Sequence, residues 1–312
     1  PLQNIADMRT DGWELSVGWR DHIGDWGYRL NLNVYDHKSK ITKFNNLSGS
    51  IDNYYVGKAL NSIYGYRAEG YYSIDDFDME KAKVGTWVLK EGVVSVSGYS
   101  VQPGDVKFKD LDGNGVIDAG GSTLENPGDR EIIGNSTSRY QFGGNLGVSW
   151  KGLDLNVLLQ GVGKRDYWLG GAALFPFGAA GADGVFWPLY YNQTDYWSAV
   201  SYDPQSPDYM VAKNPDAKLF RVYGQDGNAG SNARVSDKYI QNAAYLRVKN
   251  VTLSYSFPSS LLRKVALDQL RLYVSVENLA TFTSLPKGYD PESLSWSYPF
   301  YRTWSVGASI TF

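Results

Sequence analysis

One run of this chain carries the residue types of a metal site: Asp110-Leu-Asp-Gly-Asn-Gly-Val-Ile-Asp118. Asp110, Asp112, Asn114 and Asp118 fall at positions 1, 3, 5 and 9 of an EF-hand-like calcium loop. Gly115 sits at position 6, where such a loop turns sharply, and the carbonyl of Val116 would be the seventh-position ligand. Hard oxygen donors at this spacing suit Ca2+ in a structural rather than a catalytic role. The twelfth position, ordinarily a bidentate Glu, is Gly121, so Glu125 or Asp129 would have to supply the last carboxylate. The same run also fits an Asp/Asn/Gly turn whose side chains satisfy its own backbone. Both readings stay open on sequence.

A second concentration of chemistry lies between Arg165 and Lys238, a stretch rich in Trp, Tyr and Phe. Exposed rings there could stack on sugars or contact a partner, with Tyr190, Tyr191 and Trp197 as the candidates. Equally, so long a connection must bury something to be ordered, and the rings would then be its own core.

Catalytic constellations are missing from the pattern. His22 and His37 are the two histidines and there is no cysteine, which leaves no nucleophile–base pair, no disulfide and no thiolate metal site. The chain is therefore expected not to be an enzyme. The acidic cluster Asp75-Asp76-Phe-Asp78 reads as a helix N-terminus or a solvated turn. A formal net charge of −3 shows no basic surplus, so nucleic acid is not an expected partner.

The elements that position these residues are strands. The final nine residues, Trp304-Ser-Val-Gly-Ala-Ser-Ile-Thr-Phe312, alternate apolar and small or polar to the last position. The same period of two recurs at Trp13–Arg20, Tyr28–Val34, Gln141–Trp150, Leu153–Leu159 and Leu270–Glu277. Aromatic residues flank most of these apolar faces, as in the interfacial girdles of an outer-membrane barrel. Tyr245–Tyr255 changes phase, with Leu246 and Val248 on one parity and Val251, Leu253 and Tyr255 on the other. A β-bulge near Lys249-Asn250 would repair it. One or two further strands are expected between Tyr54 and Ser73.

Connections alternate in length. Those around 21–27, 151–152 and 257–268 are short, whereas about 44–139, 165–238 and 281–301 are long. Short turns at one end and long loops at the other mark a transmembrane β-barrel with periplasmic turns and extracellular loops. Mean hydropathy is −0.36, and there is no apolar run of about 18 residues for a transmembrane helix. A barrel needs none, because every second residue faces water. The opening Pro1-Leu-Gln-Asn reads as the middle of something longer, so a C-terminal fragment or a processed piece is expected.

Gly104–Asp118, Asp129-Arg-Glu-Ile-Ile-Gly-Asn135 and Tyr140-Gln-Phe-Gly143 closely resemble the SusC/RagA-like family of TonB-dependent outer-membrane transporters. Asn242–Tyr255, Leu272–Leu279, Gly288-Tyr-Asp-Pro-Glu292 and the terminal Phe312 match in the same order, with a weaker likeness at Gly12-Trp-Glu-Leu15. The resemblance implies an all-β fold: the C-terminal segment of a large, plugged antiparallel barrel of about 22 strands, in the outer membrane of a Gram-negative bacterium. It implies import energised by the TonB complex, a SusD-like surface lipoprotein as partner, and an oligosaccharide or a peptide as cargo. The 312 residues hold no TonB box, no plug and too few strands to close so wide a barrel. Residues 1–312 are thus expected to be the C-terminal barrel portion alone. Two other classes fit the alternation: a secreted, calcium-containing β-sandwich that binds carbohydrate, and a β-rich glycoside hydrolase.

Overall fold

The computed structural model describes residues 5–170, 194–223, 229–294 and 300–312. In chain order its strands are β1 (Ala6–Ile23), β2 (Trp26–Phe44), β3 (Ser62–Tyr66), β4 (Ala68–Tyr71), β5 (Ser95–Val96), β6 (Val106–Phe108), β7 (Val116–Ile117) and β8 (Arg130–Asn135). They continue with β9 (Arg139–Trp150), β10 (Leu153–Lys164), β11 (Asp166–Trp168), β12 (Ile240–Asn242), β13 (Tyr245–Ser256), β14 (Gln269–Thr283) and β15 (Thr303–Thr311). Two compact units form. One comprises Arg9–Ser39, Thr137–Asp166 and Asn242–Phe312; the other contains Lys40–Ser136 and Tyr167–Gln241.

The first unit is built on an open seven-stranded sheet in the order β1-β2-β9-β10-β13-β14-β15. Its neighbours are sequential in the meander and pair antiparallel from β2 to β15. Register turns the alternation of each strand into rows across the sheet. Tyr28, Val148, Leu155, Leu253, Val274 and Val306 stand opposite one another in turn, as do Leu30, Leu146, Val157, Val251, Val276 and Trp304. The neighbouring positions place Arg29, Gly147, Asn156, Thr252, Ser275 and Ser305 in one polar row on the opposite face. There Arg29 pairs with Asp154 at 3.0 Å and Arg271 donates to the Ser254 hydroxyl at 2.8 Å. The row ending at Val306 is open: Val148 is 41% exposed, Leu253 50% and Val306 82%.

Turn chemistry explains the short ends. β1 and β2 meet at Gly24-Asp25, and β9 and β10 at Lys151-Gly152, where both residues have positive φ (45° and 90°), the conformation a tight hairpin demands. Beside these turns Trp26 stacks on Trp150 at 5.4 Å, and Tyr255 meets Phe257 edge to face at 4.9 Å. Aromatic rings thus collect at the short-turn end, as an interfacial belt requires. β1 and β2, at 18 and 19 residues, are well beyond the ~10 residues a tilted crossing needs. They are also longer than the alternation suggests, since β2 runs on past Val34 to Phe44 and takes in His37.

The phase change in β13 is a bulge. Leu158 faces Asn250 while Leu159 faces Val248, so Lys249 is the extra residue. β14 answers with its own irregularity, pairing Val248 with Ala280 but Asn250 with Glu277. Asn278, inside that irregularity, has φ of 52°, a left-handed conformation Asn tolerates better than most residues. With the bulge in place, Arg247 and Lys249 both reach the 284–294 loop. Arg247, 1% exposed, pairs with Asp290 and with Glu292, and Lys249 pairs with Glu292 at 3.0 Å.

The second unit holds the first two long connections. β3 pairs with β8, β4 with β6, and β5 runs parallel to β7. The strands expected between Tyr54 and Ser73 are therefore β3 and β4, in two small sheets. Asp78 caps the single turn α1 (Met79–Ala82), its carboxylate accepting from the N–H groups of Glu80 and Lys81. Ile74, Ala82, Trp197, Ala199, Tyr209, Met210 and Ala217 form a buried core. So large a connection is ordered because it buries a core of its own.

Candidate functional site

The acidic run folds as a chain of side-chain-to-backbone turns. Asp110 accepts from the N–H groups of Gly113 and Gly115, at 2.7 and 2.8 Å. Asp112 accepts from Asn114, Asn114 from Val116, and Asp118 from Gly120. Asp129 arrives from the start of β8, fully buried, and its two oxygens take the N–H groups of Leu111 and Asp118. Carboxylate oxygens of Asp110, Asp112 and Asp129 come within 4.8 Å of one another. Of the two carboxylates available to complete the set, Asp129 is the one that converges. Asp118 is not in this group, and Val116 lies in β7, paired with Ser95. Burial and the two neighbouring carboxylates push the Asp129 carboxyl up, against the pull of its two backbone donors. Backbone N–H groups, that of Gly115 first, hold Asp110 below the usual carboxylate range. Two charges poised this close favour a cation between them.

Upstream, Gln102-Pro-Gly-Asp105 makes a turn, the Asp105 N–H reaching the Gln102 carbonyl at 3.0 Å. Pro then Gly at the two central positions, with Gly104 at φ 90°, is the pattern of a type II turn. Glycine is required twice over, since a Cβ at position 104 would lie 2.4 Å from the Trp197 indole. Asp105 is fully buried. It accepts from the Gln102 N–H at 2.8 Å, the Asn232 amide at 3.2 Å and the Tyr223 hydroxyl, with the Arg221 guanidinium 4.0 Å away. Burial raises its pKa to about 6 against those donors. Arg221 in turn stacks on Tyr223, 4.3 Å from the ring centroid, and donates to the Gln102 side chain.

These groups border a cavity of about 280 Å³ lined by Trp87, Gln102, Tyr196, Trp197, Tyr202, Tyr209, Met210, Arg221 and Val222. Trp87 and Tyr209 stack at 6.3 Å and 17°, and the Tyr209 hydroxyl donates to the Ala82 carbonyl. Trp197, proposed from sequence as a contact residue, is 2% exposed, so its ring is chiefly core and forms one cavity wall. Tyr190 and Tyr191 lie outside the described residues. Tyr202, 63% exposed, and the Gln102–Asp105–Arg221 network were not singled out by sequence. The available signal was the Pro-Gly-Asp turn, whose glycine and buried carboxylate each have a specific partner.

The open antiparallel sheet, with one apolar and one polar face, defines the class as a partial transmembrane-type β-barrel. No model of a known protein family matches the chain. Individual relatives do. TonB-dependent receptor P3 of Formosa agariphila is 28% identical over 342 aligned residues, covering 100% of this chain and 29% of that protein. TonB-dependent receptor SusC of Bacteroides thetaiotaomicron is 24% identical, covering 99% of this chain and 27% of its own length. Among solved structures, that of the RagAB peptide transporter superposes with a TM-score of 0.62 at 21% identity, over 99% of this chain and 30% of that one. The chain is SusC-like along its whole length, and it spans about three-tenths of the relatives it matches.

Proposed function

We propose that this chain is the C-terminal part of an outer-membrane, TonB-dependent importer of the SusC kind. In this reading the apolar rows of the sheet meet lipid, the polar rows line the lumen and the long connections face the outside. A SusD-like lipoprotein covers the outer opening, the cargo is an oligosaccharide or a peptide, and the TonB complex acts through parts of the protein beyond these residues. The observation that carries the reading is the uninterrupted apolar row from Tyr28 to Val306, open to its surroundings while the opposite face holds paired charges. A sandwich would bury that face against a second sheet, and a barrel gives it to lipid. Fractionation of the full-length protein from its source cells, with mass spectrometry of what co-purifies in detergent, tests this. Recovery in the outer membrane with a surface lipoprotein is expected. A soluble, detergent-free monomer would overturn it in favour of the carbohydrate-binding sandwich.

We also propose that Asp110, Asp112 and Asp129 hold a structural Ca2+. Three hard oxygens converging from two segments support it, and the ion would tie the start of β8 to the Asp-rich turn. Terbium luminescence of the full-length protein, competed by calcium, tests the site. Its signal should fall in Asp112→Asn and Asp129→Asn, and a signal unchanged in both variants would refute it.

A further inference from the structure

We propose that the cavity between Trp87, Tyr202 and Arg221 is a subsite for a single neutral pyranose unit of an oligosaccharide. This rests on the import reading and adds to it a place where the chain itself would grip its cargo.

The argument starts from size. At about 280 Å³ the cavity lies at the bottom of the ~300–1,000 Å³ range of small-molecule sites, so it suits one ring rather than a chain. Its walls are mainly aromatic: Trp87, Tyr196, Trp197, Tyr202 and Tyr209 all border it. Flat rings present the polarised face that C–H-rich sugar surfaces pack against, and they do so at small conformational cost. Polar groups converge at one side only. Arg221 donates one N–H to the Gln102 side-chain oxygen, Oε1. Gln102 Nε2 and Arg221 Nη2 take no partner among the described residues and remain as donors for hydroxyl oxygens.

The polar pair is held in place from behind. Asp105 fixes the Gln102 backbone and faces the Arg221 guanidinium, while Tyr223 braces both carboxylate and guanidinium. Buried support of this kind pre-orients a binding group and reduces the entropy lost when a ligand docks. It also decides the ligand's charge. Asp105 already balances Arg221, so an anionic sugar gains little. An apolar side chain of a peptide would cover the free donors without satisfying them, which opposes its binding. A neutral, hydroxyl-bearing ring satisfies walls and donors together.

The test is calorimetric titration of the full-length transporter, purified in detergent, with hexasaccharides of glucose, mannose, xylose and galactose, and separately with N-acetyl-phenylalaninamide. At least one hexasaccharide should bind. Tyr202→Ala should weaken it about tenfold, the weight of one aromatic contact, and Tyr202→Phe should restore it. Val222→Trp, at a partly exposed rim position, should block it without disturbing the core. The inference falls if no hexasaccharide binds, if binding survives Tyr202→Ala and Val222→Trp unchanged, or if only the aromatic amide responds to those variants. Sugar uptake by cells at an unaltered rate in Val222→Trp would remove the subsite and leave the import reading standing. Absence of the protein from the outer membrane would remove the import reading itself.

Discussion

Gly104 and Gly113 have similar left-handed φ angles, 90° and 76°, but different surroundings. A Cβ at Gly104 meets the Trp197 ring, whereas at Gly113 it meets nothing within 4 Å. Gly113→Ala should therefore cost only backbone strain, about 1–2 kcal/mol. Gly104→Ala should add overpacking, for about 2–5 kcal/mol in all, and should alter tryptophan fluorescence where Gly113→Ala does not. Asp105 makes a pH prediction. Its folded pKa, about 6, lies above the unfolded value of 3.8, so between those values the native state holds the proton more tightly. Stability then falls as pH rises from about 4 to 6, by on the order of 3 kcal/mol for a shift of about two units. The phenols of Tyr72, Tyr223 and Tyr239 lie near this carboxyl, and burial pushes all three further above that window. Amide exchange of the segment around Gln102–Asp105, corrected for intrinsic rate, should show the slope, and Asp105→Asn should flatten it. The Pro-Gly-Asp turn was legible in the chain, but the pairing of Asp105 with Arg221 was not. Asp105 and Arg221 are joined by folding across more than a hundred positions, and such a pairing leaves no periodicity to read.

At the scale of the element, strand phase was the legible quantity and strand length was not. Alternation located the strands of the seven-stranded sheet because their two faces differ in polarity. It faded in the outer halves of β1 and β2, where charged residues such as Lys38 and Lys40 break the pattern, and those strands came out longer than read. The parity break in β13 was legible as a bulge, but its echo at Asn278 in β14 was not. That echo depends on the partner strand and not on β14's own pattern. The bulge also gives a sharp test. Deleting Lys249 removes the extra residue, so Leu246, Val248 and Val251 stay on one face without a bulge, whereas deleting Asn156 from the regular part of β10 reverses every side chain on one side of the gap. Folded barrel, scored by heat-modifiable migration in gels, should be kept in the first deletion and lost in the second. Lys249→Ala keeps the register and removes the Glu292 ion pair and the contact with the Phe300 ring, each about 0–1 kcal/mol for partly exposed groups, so it should assemble.

The whole molecule turns on what touches the apolar face. Val306 ends a row that runs through Val274, Leu253, Leu155 and Val148 to Tyr28, near the middle of β15. Its neighbour Ser305 stands on the polar face in line with Ser275 and Thr252. In water both positions would accept an arginine, for Val306 is 82% exposed and exposed substitutions away from special features usually stay within ~0.5 kcal/mol. In a bilayer the two part company. Val306→Arg places a charge on the lipid side near mid-strand, at a cost of about 2–4 kcal/mol, while Ser305→Arg faces the wet lumen and costs little. Equilibrium unfolding of the two variants of the full-length protein in lipid bilayers measures the difference. A gap of at least about 2 kcal/mol, with Val306→Arg the weaker, is what a lipid-facing row requires. Equal stabilities would mean that the row meets water or protein, and the sheet would then have to be assigned to a soluble fold despite its SusC-like sequence.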